Sequence, residues 1–139
     1  MRLEKLDLIL LDKHMITIKH KGDFKNTERF LKRSQSLKVR AILEKYGQEG
    51  VSALALATPV DTGLTASSWE YKIKITRSGY ILVWSNTNVV NDLQVAILIQ
   101  YGHGTKSGTF VEGIDYVNPA IRPILNKMSE AIWKEVTNL

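Results

Sequence analysis

Gly102-His-Gly-Thr-Lys-Ser-Gly108 puts backbone freedom, two hydroxyls and a cation into one short stretch, the ingredients of a phosphate-binding loop. The spacing fails both familiar forms of that loop. A dinucleotide fingerprint needs its third glycine where Ser107 stands, and a P-loop needs glycine directly before its lysine, where Thr105 stands. Lys106-Ser107-Gly108 matches one motif of the serine penicillin-binding enzymes. No serine in the chain is followed three residues later by lysine, however, so the nucleophile of that chemistry is missing. His14, His20 and His103 lack the spacing that sets two imidazoles on one helix face, and a chain without cysteine has no thiolate to complete a zinc tetrahedron. Asp61, within Thr58-Pro-Val-Asp-Thr-Gly63, matches the Asp-Thr-Gly of aspartic proteases, where two carboxylates share a proton. That turn should follow an apolar strand, and here it follows a helical pattern. Pro59, Asp61, Thr62 and Gly63 suit a structural turn better: proline ends the helix, Asp61 and Thr62 can bond nearby amides, and Gly63 supplies a positive torsion. The expectation is a protein without catalytic residues, metal or cofactor.

The elements that must hold these segments follow from periodicity. Leu37 to Ala57 carries Val39, Leu43 and Tyr46 at helical spacing and predicts a long helix. Gly47 and Gly50 within it each lower helix propensity by about 1 kcal/mol, which points to a kink or to close approach by another backbone. Trp69 to Thr76 alternates apolar and polar side chains, a half-buried strand with Trp69, Tyr71, Ile73 and Ile75 on one face. Ser78-Gly79 reads as a two-residue turn into Tyr80–Trp84, a strand apolar on both faces and therefore internal; that turn sets Ile75 opposite Leu82 and Ile73 opposite Trp84. Asn86 to Asp92 is rich in turn residues. Asp92 is positioned to cap a helix from Leu93 to Tyr101 ended by a left-handed Gly102, with a strand as the rival over Val95 to Ile99. A flexible loop over 102–108 leads to a brief strand at Thr109 to Glu112. Asn118-Pro119-Ala120 then opens a last helix whose stripe is Ile121, Ile124, Leu125, Met128, Ile132 and Val136, with Pro123 in its first turn.

Ahead of the helices, Met15 to His20 alternates like an edge strand, and Asn26 can cap a short helix over Thr27 to Arg33. Residues 1–14 read as an extension, a loose amphipathic helix or a flexible tail, leaving 15–139 as one domain. The whole chain is 139 residues, 44% apolar and 24% charged, ordinary values for one globular core. Its apolar runs fall far short of the roughly 20 residues that cross a bilayer, so no membrane partner is expected. The net charge of +5 is uneven: from Lys13 to Lys45, ten Lys or Arg stand against Asp23, Glu28 and Glu44. Such a region, with Lys32, Arg33, Lys38 and Arg40 at its centre, could attract the phosphates of DNA or an acidic protein surface. Its Lys32 to Arg40 stretch lacks the interleaved aromatics on which single-stranded bases stack.

Several segments taken in order are more telling than any one of them. A long helix, Ala57-Thr-Pro-Val-Asp-Thr-Gly63, small residues with Ser67 and Ser68, Trp69 opening a hairpin, Gln100-Tyr-Gly-His-Gly-Thr105, and Tyr116-Val-Asn-Pro-Ala120 before a terminal helix together resemble the tailed-bacteriophage head-to-tail connector and tail-completion family, also described as minor capsid or neck proteins. The resemblance spans about residues 15–137. It implies an α+β domain: a small antiparallel or mixed sheet packed against a long central helix and a C-terminal helix. It also implies a structural role, with six or twelve copies closing a ring at the virion neck after synthesis in the bacterial host cytoplasm. Portal-side connector and tail-tube proteins would be its neighbours. Within such a ring, the loops carrying Asn86, Asn88 and Asn91, and His103, Gly104, Thr105, Lys106 and Phe110, are the expected subunit contacts. The alternative is a small basic nucleic-acid-binding module.

Overall fold

The computed structural model describes residues 6–11, 15–20, 37–77 and 79–137. Strands β1 (Leu6–Leu11), β2 (Met15–His20), β3 (Trp69–Thr76) and β4 (Gly79–Asn86) form one antiparallel sheet in the order β1-β2-β4-β3. Helices α1 (Leu37–Ala57) and α4 (Val117–Thr137) pack along each other, and α1 lies against β3 and β4. A single turn α2 (Leu64–Ser67) joins α1 to β3, and between β4 and the last helix come the ribbon β5 (Val89–Val90) and β6 (Leu93–Gln94), the short helix α3 (Val95–Tyr101), and a second ribbon of β7 (Gly102–Gly104) and β8 (Phe110–Glu112). The expected α+β class, with an antiparallel sheet against a long helix and a C-terminal helix, is what the structure shows.

The core follows from the periodicities. Val39, Leu43, Tyr46 and Leu54 of α1 meet Trp69, Leu82 and Trp84 of the sheet and Ile121, Ile124, Leu125 and Met128 of α4 in one buried cluster. Burial of each such side chain stabilises by about 1.5–3 kcal/mol. Leu82, Val83 and Trp84 are all buried in succession, as an internal strand apolar on both faces requires. The glycines of α1 accommodate rings, not another backbone: a Cβ on Gly47 would lie 2.5 Å from the Tyr71 ring, and one on Gly50 2.5 Å from the indole of Trp84. Trp84 also donates its Nε1–H to the Gly47 carbonyl at 2.8 Å, so the missing side chains let the indole reach the helix backbone itself.

Several expectations are corrected. Leu6–Leu11, read as a loose helix or tail, pairs residue for residue with β2 from Leu6↔His20 to Leu11↔Met15. Its partner strand is the next element in sequence, and such local pairing overrides a weak helical pattern. The β3–β4 register differs by two residues, with Ile75 opposite Tyr80, Ile73 opposite Leu82 and Tyr71 opposite Trp84. The turn therefore lies between Thr76 and Gly79, and because the difference is even, every side chain keeps its expected face. Ile75 is nevertheless 67% exposed, at the end of the strand. Asp92 does not cap a helix. With Asn91 at φ 52° and Asp92 at φ 61°, these residues form the two-residue turn of the β5–β6 ribbon, and α3 begins two residues beyond Leu93, after Gln94. Gly102 ends α3 at φ 80° and ψ 172°, an extended region open almost only to glycine, not the left-handed cap expected. The stretch read as a flexible loop is the β7–β8 ribbon and its turn. Finally, α4 begins at Val117, ahead of Asn118, so Pro123 falls within the helix and not in its first turn. The expected helix over Thr27 to Arg33 lies outside the described residues.

Candidate functional site

Three polar nodes fix the segments singled out by their sequence. At the end of α1, Thr58 donates its hydroxyl to the Leu54 carbonyl at 2.6 Å and accepts the indole N–H of Trp69 at 2.9 Å, tying helix to sheet through one buried oxygen. Beyond Pro59, Gly63 sits in the left-handed region at φ 80°, and Thr62 Oγ1 accepts the Leu64 amide at 3.4 Å. Asp61 is exposed and bonds no described residue, so the turn is held by threonines and glycine with the carboxylate left facing solvent. Val60 and Leu64 beside it, and Leu56 one turn earlier on α1, stand exposed.

Asn86 corrects a second expectation. Placed among the interface loops, it is 1% exposed and works as an internal strut. Its Nδ2 donates to the Thr65 carbonyl at 2.7 Å, its Oδ1 accepts the Asn88 amide at 3.0 Å, and its own carbonyl accepts Gln94 Nε2 at 2.6 Å. Asn88 adds a bond to Thr65 Oγ1 at 2.9 Å. The consequence is that the β5–β6 ribbon hangs from a buried amide lattice, while Asn91 and the apolar Val89, Val90 and Leu93 stay on the surface.

The third node is Gln100. Its Nε2 donates to Asp115 Oδ1 at 2.7 Å and its Oε1 accepts the Tyr116 and Val117 amides at 3.1 and 3.0 Å, satisfying the otherwise orphaned donors at the start of α4. Asp115 also accepts Asn118 Nδ2 at 3.0 Å. The Gln100 bond, ahead of the other causes, holds the Asp115 carboxyl below its ordinary range. Tyr116 donates to the Ala96 carbonyl at 2.8 Å, and burial pushes its phenol up to about 12. In the sequence Gln100 stands out only as part of the Gln100–Thr105 motif. A capping glutamine far along the chain has no local spacing to reveal it.

From this node the β7–β8 ribbon stands outward. A Cβ on Gly102 would come within 2.4 Å of the Val111 carbonyl, and one on Gly113 within 2.5 Å of the Gln100 carbonyl, so two glycines make a backbone-on-backbone crossing at its base. At its tip, Gly108 donates to the Thr105 carbonyl at 3.0 Å with φ 82°, and the hydroxyls of Thr105, Ser107 and Thr109 lie 2.6–3.3 Å apart. Lys106, Phe110, Val111 and Glu112 are exposed, and Tyr101 and Ile114 add apolar surface at the base. His103 is half-buried with its Nδ1 enclosed and unbonded, the single such side-chain atom among the described residues, while Gly104 is open to solvent. The expected interface residues here are thus brought together, on a ribbon whose turn is latched by hydroxyls.

The basic patch is only partly described, since Lys32 and Arg33 lie outside the described residues. Lys38 and Arg40 lie on α1, exposed, with Lys38 paired to Glu135 at 3.2 Å and Arg40 to Glu44 at 3.0 Å. Exposed pairs of this kind hold their charges loosely, yet each places a carboxylate beside the cation. Among the described residues no helix is long and apolar enough to cross a membrane. In comparisons with known proteins, no family model matches the chain, and no curated protein or solved structure matches it significantly.

Proposed function

We propose that this protein is a structural assembly component of a tailed phage or prophage, a subunit of a ring that joins head to tail. The observation that carries the reading is where the exposed apolar side chains fall. Val60 and Leu64 bracket Asp61-Thr62-Gly63, and Tyr101, Phe110, Val111 and Ile114 line the ribbon that grows out of the Gln100 motif. Two of the segments on which the family resemblance rests thus present or border apolar surface outside the core, in addition to Ile75 of β3 and Val89, Val90 and Leu93 of the β5–β6 ribbon. Exposed apolar clusters rimmed by polar groups mark association sites, and the buried amide and hydroxyl nodes beneath them supply a stiff scaffold.

A small basic nucleic-acid-binding module has less support, because Lys38 and Arg40, the described cations at the centre of its patch, each sit beside a carboxylate. Deletion of the gene tests the assembly reading. Filled heads and separate tails in the mutant lysate are expected, and normally joined particles would refute it.

A further inference from the structure

We propose that the outer strand of the ribbon, β8, pairs antiparallel with the free edge of β3 in the next copy, with Val111 beside Ile75 and Glu112 opposite Lys74; this rests on the ring reading above. Both partners are unfinished sheets. The β7–β8 ribbon has only two strands, a number marginal by itself in water, and all three residues of β8 are exposed, with Phe110 at 66% and Val111 at 47%. Yet the ribbon is held at both ends, by the glycine crossing at its base and by the Thr105, Ser107 and Thr109 hydroxyls at its turn. A stiff arm with two uncovered faces loses little entropy on docking.

The receiving strand shows matching features. β3 ends the order β1-β2-β4-β3, so no described strand covers its outer edge. Ile75 continues the apolar face of Tyr71 and Ile73 beyond the reach of the core and is left uncovered. On the opposite face Lys72 is paired with Glu70 at 3.2 Å, whereas Lys74 has no ion pair among the described residues; Glu112 has none either. Alternation then makes a specific match. Setting Val111 beside Ile75 on one face carries Glu112 to the position opposite Lys74 on the other, so one register satisfies both the apolar and the charged pair. Joining β8 to β3 uses two different surfaces, and such head-to-tail contacts repeat from copy to copy until a ring closes.

The test uses lysates in which the gene is deleted and the full chain is supplied back carrying Ile75→Cys and Val111→Cys, with no native cysteine to compete. Treatment with a short bifunctional thiol reagent should turn the protein of joined particles into a ladder of covalent multimers, while either single-cysteine variant stays monomeric. Joined particles containing only monomer would overturn the strand pairing and leave the ring reading standing. Joined particles from the deletion itself would overturn the ring reading. Should the double-cysteine chain fail to assemble, Glu112→Lys decides: it should lower the yield of joined particles severalfold, and adding Lys74→Glu should restore it. Failure of that restoration also overturns the pairing.

Discussion

Replacing Gly50 by alanine should destabilise the protein by about 2 kcal/mol, although alanine is the better helix former. The propensity gain is about 1 kcal/mol. Against it, the new Cβ would lie 2.5 Å from three atoms of the Trp84 indole, and Trp84 is 0% exposed and bonded through Nε1 to the Gly47 carbonyl at 2.8 Å. The ring cannot withdraw without breaking that bond. Overpacking of this kind costs about 1–3 kcal/mol, and the strained hydrogen bond adds about 1 kcal/mol. With a urea m-value of about 2 kcal/mol/M for a domain of this size, the midpoint followed by tryptophan fluorescence should fall by about 1 M at unchanged slope. Gly104→Ala is the control, since nothing lies within 4 Å of its Cβ, and it should stay within about 0.5 kcal/mol of the parent. An unchanged or raised midpoint for Gly50→Ala would refute the argument that the glycine exists to admit the indole.

Gln100→Leu strands two buried amides at the start of α4, each worth about 1–3 kcal/mol, so chemical denaturation should report a loss of about 3 kcal/mol; less than 1 would reject the capping role. Acid should weaken the fold through Asp115. Its folded value lies below the ordinary 3.8, so the unfolded chain binds the proton first and stability drops as pH falls below that value; the Asp115→Asn variant should show a shallower acid limb. Alkali acts in the opposite sense on Tyr116: the unfolded phenol ionises near 10 and the folded one near about 12, so stability declines as pH rises between them, and Tyr116→Phe should flatten that decline in urea titrations at pH 9 and pH 11.

Elements with strong periodicity were legible without coordinates. The stripe from Ile121 to Met128 and the alternation from Trp69 depend on local spacing, and both landed in the core as expected, with only Ile75 outside. Helix and strand ends were harder. α4 begins where Gln100 supplies acceptors, and α3 begins late because Asn91 and Asp92 were taken up by a hairpin turn. Each boundary was decided by a competing local geometry or a distant partner. The candidate surface divided in the same way. Phe110 and Lys106, expected at a subunit contact, are exposed, whereas Asn86, expected there too, is buried, because a turn-forming asparagine and a buried strut have the same side chain and differ only in what surrounds it.

From sequence came the kinds of element, their order and the faces that would be apolar, because helical and strand periods are properties of neighbouring residues along the chain. Only the folded chain decided which polar groups lie inside, which apolar ones remain outside, and why α1 carries glycine where two rings approach it. Those outcomes depend on groups brought together from far apart, such as Gly50 with Trp84, Thr58 with Trp69 and Gln100 with Val117. No spacing along the chain encodes those meetings.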